Sequence, residues 1–189
     1  PCTTLADCAG SPFFSACEAG ACVLHVRSST FGEPDAFEVV PAMGFDAGPY
    51  RFRHFKASAG MLVIEKLDNA ELDIAALGST PAASALARGA NFTFLRVQHT
   101  KGGSQSLCVK DGINNAQDLV GKTVATPCGS TAHYALLYFL QQTKLHGHVT
   151  VRCEGPGEIA LLWDKPRGDP DWIDGGFVCE CWVFLALFV

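Results

Sequence analysis

The sequence predicts an α/β fold with parallel-rich sheets flanked by helices, preceded by a small disulfide-rich segment. Between Val23 and Cys179, runs with strand periodicity alternate with runs of helical periodicity, a pattern typical of parallel sheets with helices on their faces. Ahead of this region, four cysteines fall within the first 22 residues. That density is typical of disulfide-stapled modules in an oxidising compartment.

The N-terminal cysteines are expected to form disulfides among themselves. They are Cys2, Cys8, Cys17 and Cys22, and four cysteines allow three connectivities. A zinc site is the alternative, but the cluster has no Cys-x-x-Cys pair and no histidine. No metal is therefore expected.

Each predicted element follows from its local pattern. Tyr50–Phe55 alternates aromatic with basic residues as a strand does, and Met61, Ile64 and Leu67 recur at helical spacing. The predicted strands are Val23–Ser28, Tyr50–Phe55, Leu72–Leu77, Phe92–Gln98, Gln105–Lys110, Lys122–Thr126, Val149–Cys153 and Gly175–Cys179. The predicted helical segments are Pro34–Gly44, Ser58–Asn69, Ala82–Ala87, Asn115–Val120, Ala132–Gln142 and Glu158–Trp163.

Composition narrows the classes of function. The 189 residues are 48% apolar and 17% charged with a net charge of -5, so a core is available and a nucleic-acid partner is disfavoured. No Gly-x-Gly-x-x-Gly, Walker or Gly-x-Ser-x-Gly pattern occurs. No cofactor is expected.

Two Gly-Ser-Thr triplets stand at predicted strand-to-helix junctions. In Gly78-Ser79-Thr80-Pro81 the hydroxyls are expected to cap a helix whose first position is Pro81. Ser130 and Thr131 are expected to cap the second helix. Helix starts bind anions through free N–H groups, so the two could clamp an oxyanion. The simpler alternative is that these residues only cap their own helices.

The sequence supports a catalytic site less well than an anion-binding site. The residue types of a catalytic triad are present in Ser130, His133 and Asp164. Ser130 and His133 are three residues apart at a helix start, however, where a capping or cleft-facing role fits better. No catalytic residue is predicted, and the chain is expected not to be an enzyme.

Several stretches resemble a known family. Glu71–Pro81 and Lys122–Tyr134 resemble the signatures of taurine- and alkanesulfonate-binding proteins of ABC transporters. Arg53–Gly60, Gly103–Leu107 and Asp118–Lys122 fit the same family in order and spacing. The resemblance implies a two-lobed, hinged fold of the type II periplasmic-binding kind, with the second lobe incomplete here. The Cys-rich start is not a feature of that family, so the expected domains are the Cys-rich segment 1–22, a partial first lobe 23–104 and a partial second lobe 105–189.

The resemblance also implies a ligand-binding set. Ser79 and Thr80 would contact the sulfonate from one lobe, and Ser130 and Thr131 from the other. His133 would line the cleft or support it. Gln105 stands where the family commonly has an acidic residue, and Cys179 stands where it has a tryptophan, so the exact ligand stays open. Glu180 follows and could contact an ammonium group.

The strand order usual in such lobes places the Lys122 strand between the strands ending at Cys153 and Cys179. Neighbouring strands lie about 4.8 Å apart, near disulfide range. A bridge from Cys128 to Cys153 or to Cys179 is therefore a hypothesis. Its alternative is three free thiols behaving as small apolar residues.

The expected function is extracytoplasmic binding of a small anionic solute, taurine or an alkanesulfonate. The expected location is secreted, periplasmic or at the cell surface, with an ABC-transporter permease as partner. The apolar run Trp182–Val189 is too short to span a membrane. Two alternatives remain: an enzyme resembling those of thiamine-pyrimidine synthesis, with His133 and Cys128 as reactive groups, or a non-catalytic extracellular interaction module.

Overall fold

The computed structural model describes residues 2–9, 16–30, 48–57, 59–97, 100 and 105–179. The predicted helix Pro34–Gly44, the candidate ligand residue Glu180 and the run Trp182–Val189 lie outside these residues. Contacts within the chain define two compact units. Unit 1 comprises Pro1–Ser58 and Leu62–Leu77, and unit 2 comprises Ala59–Met61 and Gly78–Val189. The lobe boundary predicted after residue 104 stays a prediction.

Unit 1 is built on one long strand that pairs with three shorter ones. Its strands are β1 (Ala16–Glu18), β2 (Ala21–Thr30), β3 (Tyr50–Lys56) and β4 (Ile74–Ala75), and helix α1 spans Gly60–Asp68. The start of β2 pairs antiparallel with β1, and its later part pairs parallel with β3 and β4. The Cys-rich segment is thus continuous with the first strand of the α/β region.

Two disulfides fasten the N-terminal segment onto this strand. After a 3-10 turn at Leu5–Cys8, the bridges are Cys2–Cys17 and Cys8–Cys22. Cys17 and Cys22 face each other across the β1–β2 hairpin. The sulfurs of Cys2, Cys8 and Cys22 lie within 4.8 Å of one another, close enough to share a metal ion. All four N-terminal cysteines are, however, bonded in the two disulfides. The disulfide interpretation is confirmed.

An ion pair joins β2 to the chain just before β4. Arg27 Nε donates to Asp73 Oδ2 at 2.9 Å, and Asp73 N–H donates to the Arg27 carbonyl at 2.9 Å. The hydrogen bond from Arg27 lowers the pKa of Asp73. These two hydrogen bonds fix the register of strand β4, which is only two residues long.

Unit 2 contains a four-stranded sheet in the order β5-β8-β6-β7. Strand β6 is parallel to both β7 and β8, whereas β5 is antiparallel to β8. Parallel pairing is confirmed for the inner part of the sheet. The elements are α2 (Ser79–Ala87), β5 (Gln105–Val109), a 3-10 turn (Ala116–Leu119), β6 (Thr123–Thr126), α3 (Thr131–Gln142), β7 (Thr150–Cys153), α4 (Pro156–Trp163) and β8 (Gly175–Cys179).

The sheet of unit 2 is covered on both faces, as its sequence alternation requires. Val124 packs into one buried cluster and its neighbour Ala125 into another, because successive residues of a strand point to opposite faces. The first cluster includes Leu136 and Leu140 of α3, and the second includes Ile159 and Leu162 of α4. One helix therefore covers each face.

One predicted strand is wrong. Residues 91–97 carry no strand, and Phe94, Leu95 and Val97 are 61%, 74% and 81% exposed. The alternation from Phe92 onward has the local strand pattern, but a strand also needs a neighbouring strand to bond. Gln98 is outside the described residues. The other predicted elements that can be compared agree with the structure to within a few residues.

Among the helices that the structure describes, none combines the length and apolar character needed to cross a bilayer.

Candidate functional site

At the start of α3, Ser130 caps the helix as predicted, whereas Thr131, also expected to cap, is the first helical residue. Ser130 is the N-cap, and its Oγ accepts a hydrogen bond from the His133 N–H at 3.1 Å. Its own N–H donates to the Pro127 carbonyl at 3.2 Å. Between them Gly129 has φ +76°, a conformation that favours glycine. The turn from β6 into α3 is therefore tight, and it leads directly into the helix start.

The start of α2 differs from the prediction. Gly78 is the N-cap, with no side-chain hydrogen bond, and Ser79 and Thr80 are the first two helical residues. The expected cap by Ser79 or Thr80 is wrong, as is Pro81 at the first position. Pro81 fits the third position because no N–H of the first turn has an acceptor within the helix. The two hydroxyls are consequently not used as the N-cap.

The two helix starts touch. A Cβ built on Gly78 would lie 2.7 Å from Thr131 Oγ1, closer than van der Waals contact permits. Both residues belong to unit 2. Ser79 is exposed, whereas Thr80, Ser130 and Thr131 are half-buried. We refer to Ser79, Thr80, Ser130 and Thr131 as the helix-start cluster.

The cluster is rich in donors and carries no charged side chain. The N–H groups of Ser79, Thr80, Thr131 and Ala132 have no acceptor within their own helices. Neither of these two described helices has an acidic residue in its first turn. Each start therefore keeps roughly half a positive charge from the helix dipole. Such an arrangement suits an anion with several oxygens.

His133 is turned toward the loop that precedes α3. Its Nδ1 accepts from the Gly129 N–H at 3.1 Å, so the neutral ring carries its proton on Nε2. Nε2 lies 3.9 Å from Cys128 Sγ. In this arrangement the imidazole contacts the loop that precedes α3.

A disulfide ties the same loop to the sheet. Cys128 is bonded to Cys153, one of the two pairings left open by the sequence. Cys153 is the last residue of β7 and stands opposite Thr126, the last residue of β6. The bridge thus joins the carboxyl ends of two parallel strands beside the start of α3.

Gln105 lies at the same edge of the sheet. It begins β5 and stands opposite Cys179, the last residue of β8. Because β8 runs parallel to β6, this is the edge from which α3 begins. Gln105 is half-buried. Glu180, the residue after Cys179, lies outside the described residues.

The structure does not bring Ser130, His133 and Asp164 together as a catalytic triad. Ser130 Oγ is bonded to the main-chain N–H of His133, and the His133 ring faces Gly129 and Cys128. Asp164 follows the far end of α4, at the opposite edge of the sheet. The Cys128 sulfur is bonded to Cys153, so it is not available as a thiolate nucleophile in this structure.

A lysine with aromatic neighbours lies at that opposite edge and was not predicted. Lys110 Nζ is 3.3 Å from the Trp172 ring centroid and 5.6 Å from that of Trp163. The main-chain N–H of Lys110 donates to the Asp174 carbonyl, next to the start of β8. Burial lowers the pKa of Lys110. No sequence pattern indicated this contact, because the lysine and the two tryptophans lie far apart in the chain.

Gly78 is the residue of the site that sequence reasoning missed. Its role is to lack a side chain at the point where α2 meets α3. A signal was present, since each Ser-Thr pair is preceded by a glycine, but a repeated glycine does not reveal a close contact between distant segments.

Comparison with known proteins finds one similar curated protein and several similar solved structures. No protein-family model matches the chain. The Taurine-binding periplasmic protein of Escherichia coli (strain K12) is 33% identical over 124 residues, which is 65% of this chain and 37% of that protein. Over these 124 residues the chain is similar to that taurine-binding protein. The matched region spans well under half the length of that protein.

Solved structures show the same fold. An alkanesulfonate-binding protein from Xanthomonas axonopodis pv. citri, bound to MOPS, has a TM-score of 0.70 at 19% identity, over 84% of this chain and 55% of that one. The periplasmic aliphatic sulphonate binding protein of Escherichia coli has a TM-score of 0.63 at 19% identity, over 86% and 56%. The predicted periplasmic-binding-protein-like α/β fold is confirmed.

Proposed function

We propose that this chain is part of an extracytoplasmic solute-binding protein whose helix-start cluster holds the sulfonate group of taurine or a similar small sulfonate. The observation that carries the proposal is the contact between Gly78 and Thr131, which brings two helix N-termini to one place. The relationship to a taurine-binding protein supports the choice of anion.

The chemistry of the cluster suits a sulfonate. A sulfonate is tetrahedral at sulfur and presents three oxygens that each accept hydrogen bonds. The helix-start cluster offers main-chain N–H groups and hydroxyls from two directions. Uncharged donors at a helix N-terminus bind such an anion reversibly without a permanent cation.

The rest of a small sulfonate would extend toward the residues along the same sheet edge. Gln105 lies on this edge, and its amide oxygen can accept a hydrogen bond from an ammonium group. We assign Glu180 the same role, since a carboxylate attracts an ammonium more strongly than an amide does. His133 then acts indirectly, by holding the loop at Gly129.

The proposal is binding without catalysis. Capture would be reversible, and a membrane permease of the ABC type would receive the solute. The disulfide between Cys128 and Cys153 takes away the thiol that an enzymatic interpretation would need. The bridges Cys2–Cys17, Cys8–Cys22 and Cys128–Cys153 agree with an oxidising, extracytoplasmic location.

Titration calorimetry of the oxidised protein tests the proposal. Taurine and ethanesulfonate are compared with ethylamine, which lacks the sulfonate. Both sulfonates should bind and ethylamine should not. Thr131→Ala removes a hydroxyl facing the anion and should weaken binding about tenfold, as expected for one hydrogen bond to a charged group. A folded protein that binds neither sulfonate would contradict the proposal and favour the interaction-module alternative.

A further inference from the structure

We propose that the Cys128–Cys153 disulfide positions the start of α3 for anion binding, so that breaking this bridge lowers affinity for the sulfonate. The inference rests on the proposed function. Cys128 lies two residues before the N-cap Ser130, and its bridge fastens the loop to the carboxyl end of β7. The bridge is the one covalent link from this described loop to a neighbouring strand.

The contacts around Cys128 lead directly into the helix-start cluster. The His133 ring is held between Cys128 and the loop, with Nε2 3.9 Å from Sγ and Nδ1 accepting from the Gly129 N–H. The His133 N–H in turn donates to Ser130 Oγ. Movement of Cys128 would therefore be transmitted through His133 to Gly129 and Ser130.

Reduction would also change the charge beside the cluster. A dithiol reductant transfers two electrons and two protons, so that the S–S bond becomes two thiols while the reductant forms its own disulfide. Cys153 is exposed and Cys128 half-buried, which leaves the bridge open to small thiols. A thiolate at Cys128 would lie at a helix N-terminus, where anions are stabilised, and would compete with the sulfonate.

Variants test this better than a reductant, which would also attack the N-terminal bridges. Cys128→Ser/Cys153→Ser removes the bridge and both thiols, and Cys8→Ser/Cys22→Ser is the matched control in unit 1. Dissociation constants for taurine and melting temperatures are measured for both. We expect about tenfold weaker binding for the first variant. For the control we expect a lower melting temperature and unchanged affinity.

The outcomes separate the inference from the proposed function. If wild type binds taurine and the folded Cys128→Ser/Cys153→Ser variant binds it within twofold, the positioning role is overturned. If wild type binds no sulfonate, the proposed function fails. The NMR signals of the Gly129 amide and the His133 ring then still decide whether the bridge holds this contact: they should shift in the Cys128→Ser/Cys153→Ser variant and stay in place in the Cys8→Ser/Cys22→Ser control.

Cys153→Ser alone leaves a thiol at Cys128 and tests the effect of charge. It should bind taurine more weakly than the double variant, because only the single variant can place a thiolate beside the anion. Equal affinities would overturn the competing-charge part of the inference. Alkylation followed by mass spectrometry confirms that the remaining Cys128 is free in the sample.

Discussion

Gly78 and Thr131 are 53 residues apart in the sequence, yet no side chain fits between them. A Cβ on Gly78 would lie 2.7 Å from Thr131 Oγ1. The contact joins the N-cap of α2 to the first residue of α3. Two partial positive charges are thereby brought together without a carboxylate in either first turn, an arrangement that is unfavourable by itself and improves when an anion binds.

Gly78→Ala should weaken sulfonate binding more than it weakens the fold. The added methyl group must push Thr131 or the start of α2 aside, which moves the donors of the helix-start cluster. Gly155→Ala is the matched control, because Gly155 is also an extended N-cap without a side-chain bond and has open space around it. Calorimetry should show a loss of affinity for Gly78→Ala and an unchanged dissociation constant for Gly155→Ala.

Substitutions of Ser130 separate capping from anion binding. Ser130→Ala loses the bond from the His133 N–H and should cost about 1 kcal/mol of stability. Ser130→Asp restores an N-cap, and its carboxylate interacts favourably with the helix dipole. This variant should therefore recover that stability. Its carboxylate should nevertheless abolish sulfonate binding by repulsion. Tight binding by Ser130→Asp would show that Ser130 only caps its helix.

A buried threonine links two strands of the unit 2 sheet. Thr126 is 0% exposed, and its Oγ1 donates to the Phe177 carbonyl at 2.9 Å. Thr126→Val keeps the shape but loses the bond, and we expect a loss of about 1 kcal/mol in the free energy of unfolding. Thr150→Val, at an exposed position of β7, is the control and should stay within about 0.5 kcal/mol of wild type. Urea denaturation measures both.

The N-terminal turn should loosen in acid. Hydrogen bonds from the N–H groups of Thr3 and Thr4 lower the pKa of Asp7 from its usual 3.8 to about 2. Because this pKa is lowered, the stabilisation is present above the unfolded value and is lost as the pH falls from about 4 to about 2. The amide signals of Thr3 and Thr4 in NMR spectra should move over this range, and Asp7→Asn should abolish the transition.

Helices and strands were predicted correctly where the apolar residues follow a clear period. Gly175–Cys179 and the helix ending at Gln142 were located closely, because their apolar residues fill the two faces of one sheet. The antiparallel pairing of β5 was not foreseen, since alternation does not reveal strand direction. The exposed segment 92–97 was misassigned for a related reason: a strand pattern does not show whether a neighbouring strand exists.

The candidate site was predictable in its donors and unpredictable in its contacts. Ser130 carries a recognisable capping signal, and the structure confirms it. Ser79 and Thr80 were assigned to the right helix start but the wrong positions, because Pro81 tolerates any place in the first turn. The proximity of Gly78 to Thr131 depends on packing between separate helices, which local pattern does not encode.

Backbone NMR during a titration with taurine tests the central claim most directly. We expect the amide signals of Ser79, Thr80, Thr131 and Ala132 to shift together, with one dissociation constant. Ethanesulfonate should reproduce these shifts, and ethylamine should not. Shifts confined to other residues, or at only one of the two helix starts, would contradict the claim that both hold the sulfonate.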